Sequence, residues 1–253
     1  MARAANSLRI TPTQLTLLGA VIGIVAGALL YNENLGLLAF GLLIVHGIVD
    51  SADGQLARMT GQVTEFGRVM DGVSGYVTHI AIYVAITSRL LHDGGSWIVI
   101  VWMFCAAVAN ALQAQMYEYH RPAYSAIVGE GRLPKHNPGN APAWVRWLYR
   151  AYLNMQQRQA GLHVQVEKQL ATRMTAGYIR EEDRTLYQRC FYWPVRGWNL
   201  LGDNTRFYAI GVLALLNRTE LFFAFILIPM MIALFLLRLW QHNADRKFLS
   251  ALS

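Results

Sequence analysis

The sequence predicts an all-α, polytopic membrane protein of about six transmembrane helices, with a helical cytoplasmic insertion between the fourth and the fifth. Two observations carry this. Hydrophobic residues make up 55% of the chain against 15% charged, and the apolar residues gather into runs that approach the length of a bilayer crossing. The two cysteines, Cys105 in an apolar segment and Cys190 in a polar one, offer neither a disulfide framework nor a paired-thiol metal site. A net charge of +7 could signal nucleic-acid binding, but no zinc-ligand spacing, RNP-like motif or Lys/Arg block accompanies it. The charge is therefore assigned to loops facing anionic lipid, and no nucleic acid is expected as a partner.

A spanning helix needs roughly 17 to 25 apolar residues. The candidate segments are 14–30, 35–50, 69–91, 97–117, 204–216 and 221–240, the fifth being the shortest. Arg3 and Arg9 ahead of the first run resemble the start of a signal peptide, but the later spans favour a first membrane helix. The second helix is expected to continue to Arg58, because "DSADGQLAR" contains no proline and keeps helical spacing. Loops near "YNENLG", "RLLHDGGS" and "NRTE" show no positive excess, whereas Arg3, Arg9, Arg58, Arg68, Arg206, Arg238, Arg246 and Lys247 collect on the other side. By the positive-inside rule both termini and the aspartate-rich turn face the cytoplasm, in the plasma (inner) membrane. The chain divides into 1–117 with the first four helices, 118–203 as the insertion, and 204–253 with the last two helices and a tail.

The insertion is too long for a plain connector. Met155, Leu162, Val166, Leu170 and Met174 form one apolar stripe on a helix expected to stop at Gly177. "EED" from Glu181 suits the first turn of a second helix, which Pro194 should end. The aromatics and arginines of "APAWVRWLYRAYL" suit the lipid headgroup level, or equally a packing surface within the insertion. The segment could recognise lipid headgroups or the acceptor, or form a homodimer interface.

The chemistry concentrates in "VDSADGQLARMTGQVTEFGRVMDGVSGY". Ionisable residues at membrane helices are costly and usually functional. Asp50 and Asp53 are three residues apart on one helix and Asp71 lies early in the next, so a tight turn can bring three carboxylates to one point. Their mutual repulsion calls for a divalent cation. Hard oxygen ligands suit Mg²⁺ or Mn²⁺ that also meets phosphate oxygens. An EF-hand fails on the spacing of the acids. Gly54 and Ala57 leave room for a ligand, and Arg58 can neutralise phosphate.

These residues closely resemble the signature of the CDP-alcohol phosphotransferase family, DxxDGxxARx(7–8)GxxxDxxxD. Asp50, Asp53, Gly54, Ala57, Arg58, Gly67 and Asp71 match at family spacing. Thr11, Pro12, Thr16 and Gly19 resemble the family's first-helix motif, with Thr13 where that motif has Asn. The resemblance implies an integral membrane enzyme of phospholipid or phosphosphingolipid synthesis that moves a phospho-alcohol group from a CDP-linked donor to an acceptor alcohol and releases CMP. It implies that Asp50, Asp53 and Asp71 bind Mg²⁺ or Mn²⁺, and that Gly54, Ala57, Arg58, Gly67 and Thr16 line the nucleotide pocket. CDP-diacylglycerol is the expected donor; a polar CDP-alcohol with a diacylglycerol or ceramide acceptor is the alternative.

The family's fourth aspartate, its general base, is Gly75 here. His79 lies one turn further along the same face and is the candidate substitute; Tyr76, with an unperturbed pKa of about 10, is a weaker one. A disarmed or binding-only relative is the second reading of Gly75, and an ion-coupled transporter a third reading of the acids. The transporter lacks paired Gly/Pro-interrupted helices and has its acids at a helix edge.

Overall fold

The "TPTQ" stretch folds into a capping box: Thr11 Oγ1 accepts from the Gln14 amide at 3.3 Å, and Gln14 Oε1 accepts from the Thr11 amide at 2.9 Å. With Pro12 at the first helical position, this fixes the start of the first helix. The structure, a computed structural model, describes residue 2 and residues 10–62, 65–134 and 143–252, apart from the side chains at 65–69, 71–72, 143–145 and 148–149. In chain order the helices are α1 (Pro12–Leu29), α2 (Gly36–Thr60), α3 (Glu65–His92), α4 (Ile98–Tyr124), α5 (Ala143–Ala160), α6 (His163–Thr172), α7 (Glu181–Trp198), α8 (Asp203–Leu215), α9 (Phe222–Leu227) and α10 (Pro229–Leu252). The described residues contain no strand, and the fold is all-α as expected.

Two units emerge, one from Met1–Val108 with Asp203–Leu227 and one from Ala109–Gly202 with Ile228–Ser253. Stretches Pro12–Leu29, Glu33–Thr60, Ile98–Glu130 and Thr219–Leu252 are each long and apolar enough to cross a bilayer. Their outward faces are apolar: Val21, Phe104, Val108 and Phe235 are each more than half exposed, as lipid-facing residues are. The chain is an integral membrane protein. Helix α3 has the length of a span but carries His79 and Arg89, and α8, with 13 residues, falls short of one.

In the first unit, α1 packs against both α2 and α3, and α8 against α2. Small residues permit this, since in lipid close van der Waals contact rather than the hydrophobic effect holds helices together. A Cβ added at Gly27 would lie 2.7–2.9 Å from Ala81 and the Ile82 amide, and one at Gly23 would run into the Thr78 side chain. His46, 3% exposed, ties three helices: Nδ1 donates to the Gly19 carbonyl at 2.8 Å and Nε2 faces Thr78 Oγ1 at 3.5 Å. These contacts set α1 and α3 parallel and α2 antiparallel to both. At the far end Arg89, buried, pairs with Glu33 at 3.1 Å and with Glu220 at 3.8 Å, joining the loops before α2 and α9. Helix α2 does run on past Arg58, to Thr60, where Gly61 takes a left-handed φ of 68°.

The second unit is built on Val166, Leu170, Tyr187, Phe191 and Phe248, which interlock α6, α7 and α10. His163 is 1% exposed at its centre: Nδ1 donates to Asp245 at 2.7 Å, and Nε2 accepts from the Tyr187 hydroxyl at 3.1 Å. Burial, and next the charge of Glu167, hold the Tyr187 phenol well above its ordinary pKa, so it stays a donor. The expected stripe is confirmed in part. Val166, Leu170 and Met174 belong to this core, but Met155 is exposed, because Gly161 at φ 58° breaks the single expected helix into α5 and α6. Helix α6 stops at Thr172, ahead of Gly177. Pro194 does not end α7: it is buried inside the helix, which continues until Val195 and Trp198 are packed. Of the aromatic stretch, Trp147 is exposed and Tyr152 donates to Glu118 at 2.8 Å, while the side chains of Trp144 and Tyr149 are outside what the structure describes.

Gly27→Ala forces a methyl against the α3 backbone, which cannot swing aside as a side chain can. It should lower stability by about 1–3 kcal/mol, read as an earlier midpoint in thermal unfolding followed in detergent.

Candidate active site

Positions 50, 53, 54, 57 and 58 follow the i, i+3, i+4, i+7, i+8 spacing of one helix face, so a straight, unbroken α2 is enough to align them. Asp53 is 3% exposed, Asp50, Gly54 and Ala57 are half-buried, and Arg58 is exposed. A Cβ at Gly54 would meet Arg58 Nη1 at 3.6 Å, so the guanidinium lies back over the glycine. Behind this face Val49, Ala52 and Leu56 pack with Leu15 of α1, which pins the carboxylate side of the helix outward from that cluster. Thr16 is buried and donates to the Pro12 carbonyl at 3.0 Å, closing its own helix turn.

The register set by His46 carries the geometry further. Counted in ideal helical turns from the His46–Thr78 contact, Asp50 falls at the level of Ser74 and Asp53 at the level of Asp71. Asp71 and Gly67 stand on α3, and the side chain of Asp71 is outside what the structure describes. Among the described residues no group of three His, Cys, Asp or Glu side chains is assembled. The donor set nevertheless fits a hard divalent cation: two carboxylates on one helix face, with a third aspartate at the same level of a neighbouring helix.

Gly75 does not face an empty wall. A Cβ built there would lie 3.9 Å from Oδ2 of Asp203, the first residue of α8. The same carboxylate sits 3.6 Å from His79 Nε2 and 3.3 Å from Nη1 of the fully buried Arg206. His79 is 6% exposed, its Nδ1 donates to the Gly75 carbonyl at 3.0 Å, and its ring stacks on Phe207 at 5.8 Å. Asp203 escaped the sequence reading, which took it for the end of the polar insertion. The available signal was an acid opening an apolar helix three residues before an arginine, in "GDNTR".

A groove of about 400 Å³ runs between α2 and α8, lined by Leu43, Gly47, Ser51, Gln55, Asn204 and Phe207 among others. It is apolar toward the middle of α2 and polar toward its C-terminal end, on the face next to the aspartates.

Comparison with known proteins places these residues in a family. Over 80 residues the chain is 39% identical to an archaetidylinositol phosphate synthase of Pyrococcus horikoshii, covering 32% of this chain and 42% of that one. It is 32% identical over 93 residues to a phosphatidylinositol phosphate synthase of Corynebacterium glutamicum, covering 37% of this chain and 42% of the relative. A bifunctional IPC transferase and DIPP synthase of Aquifex aeolicus is 28% identical over 118 residues, covering 46% of this chain and 26% of the relative. The chain thus spans less than half the length of each of these relatives, and no solved structure matches it. Residues 9–145, more than half of the chain and including the whole aspartate stretch, match the CDP-alcohol phosphatidyltransferase family, and the chain belongs to that family.

Proposed function

We propose that the protein transfers a phospho-alcohol group from a CDP-linked donor to an acceptor alcohol, releasing CMP, in phospholipid synthesis. One observation carries the reading: Asp50, Asp53, Gly54, Ala57 and Arg58 share one face of α2, in the family's order and within the matched residues. In this reading Asp50, Asp53 and Asp71 hold Mg²⁺ or Mn²⁺. When bound, such an ion supplies charge neutralisation of the diphosphate and of the departing CMP. Arg58 adds a second cation for phosphate, and its exposure leaves it free to swing from Gly54 onto a ligand. Gly54, Ala57 and Gly67 leave space for the nucleotide, with Thr16 contributing to the wall behind.

CDP-diacylglycerol is the donor we favour. The α2–α8 groove matches its chemistry: Leu43, Ile44 and Ile48 suit acyl chains, and Ser51, Gln55 and Asn204 suit the glycerol and diphosphate. Two relatives are named as synthases of inositol phosphate lipids, which supports a lipid donor and a polar alcohol or alcohol phosphate as acceptor. The excess of Arg and Lys on the aspartate side supports a site open to the cytoplasm, where both substrates' charged groups are hydrated.

Purified protein given CDP-diacylglycerol, Mg²⁺ or Mn²⁺ and a panel of polyols and polyol phosphates should release CMP and form a lipid-linked product, and Asp53→Asn should abolish both. CMP binding without release from any donor and acceptor pair would mark a binding-only relative. If the groove seats the lipid, Ser51→Trp should raise the KM for CDP-diacylglycerol at least about tenfold and leave CMP affinity unchanged.

A further inference from the structure

We infer that Asp203 supplies, from the start of α8, the general base that the family signature carries at the position of Gly75; the inference rests on the transfer reaction proposed above. The space a side chain at 75 would enter already borders a carboxylate, since Asp203 Oδ2 lies 3.9 Å from a Cβ built at Gly75. The side chain of Asp203 is 51% exposed, so a substrate hydroxyl can reach it, whereas His79 is 6% exposed.

The hydrogen bonding around His79 points the same way. The Gly75 carbonyl can only accept, so His79 Nδ1 carries the donated proton, and Nε2 faces Asp203 Oδ1, 3.6 Å away. Nε2 is buried and has no hydrogen-bond partner among the described residues. At 3.6 Å the two atoms are too far apart for a direct hydrogen bond, and a substrate hydroxyl entering beside them meets the exposed carboxylate as its acceptor. Arg206, fully buried and 3.3 Å from the carboxylate, holds it in place. By the His46–Thr78 register this group lies level with Asp50, where the diphosphate would be held.

The step balances simply. The acceptor O–H gives its proton to the Asp203 carboxylate, and its oxygen bonds the phosphorus that carries the donor's alcohol. The bond from that phosphorus to the bridging oxygen breaks, and CMP leaves with the electron pair. Nothing is oxidised or reduced.

A simpler role for Asp203, as an acid at a helix start paired with Arg206, is separable by moving the carboxylate. Asp203→Asn keeps a polar side chain at the start of α8 but cannot take a proton. Turnover and CMP binding are measured for the wild type, Asp203→Asn, Gly75→Asp and Asp203→Asn/Gly75→Asp. In Asp203→Asn, kcat should fall about 10²–10⁴-fold, with donor KM and CMP affinity unchanged. The double variant should regain at least about tenfold of that loss, because a carboxylate returns from α3 to the same space. Turnover in Asp203→Asn close to the wild type, or a loss that Gly75→Asp does not restore, overturns the assignment. A silent wild type that Gly75→Asp awakens also overturns it while leaving the reaction class standing. If both are silent with every donor, it is the reaction class that falls.

Discussion

A methyl group at Gly27 would come within 2.9 Å of the α3 backbone, and one at Gly23 would overlap Thr78; helix α1 can touch α3 only because it carries no side chain there. That close approach governs the rest of the first unit. It brings α2 near enough for His46 to bridge Gly19 and Thr78, and this bridge fixes which residues of α2 and α3 share a level in the membrane. A slip of one turn along either helix would carry Asp53 about 5 Å away from the level of Asp71. In lipid, where apolar burial distinguishes poorly between registers, a buried hydrogen-bonded histidine is a strong means of choosing one.

The polar groups follow a pattern that the bilayer imposes. At one end of the unit Arg89 draws Glu33 and Glu220 together. At the other, carboxylates gather on α2 and at the start of α8, with Arg58 and Arg206 beside them. Charges in such places are retained only when paired or used. Arg89 with its two glutamates fits the first description, since both carboxylates lie within ion-pair distance of its guanidinium. The aspartate face, which carries the family's spacing and lies beside a groove that grades from apolar to polar, is the one we propose is used.

Much of the candidate site was legible in the sequence because its residues lie on one unbroken helix. Asp50, Asp53, Gly54, Ala57 and Arg58 are within nine residues of one another, and periodicity alone puts them on a common face. The all-α membrane fold and the extension of α2 through Arg58 were legible for the same reason. Asp203 was not, since nothing local reveals that α8 docks on α2 and returns residue 203 to the side of residue 75, far away along the chain. In the insertion, the apolar stripe gave the core residues Val166 and Leu170, but not the break at Gly161, where a left-handed φ redirects the chain. Pro194 misled in the opposite sense: packing of Val195 and Trp198 repays the one backbone hydrogen bond it removes.

On the proposed reading the α2 face is a working cation and nucleotide site despite the glycine at position 75. Equilibrium binding of CMP to the detergent-solubilised protein, titrated with and without Mn²⁺, tests it most directly. The account predicts saturable CMP binding that requires the cation and disappears in Asp50→Asn. Binding that ignores Mn²⁺, or no binding in its presence, would contradict it.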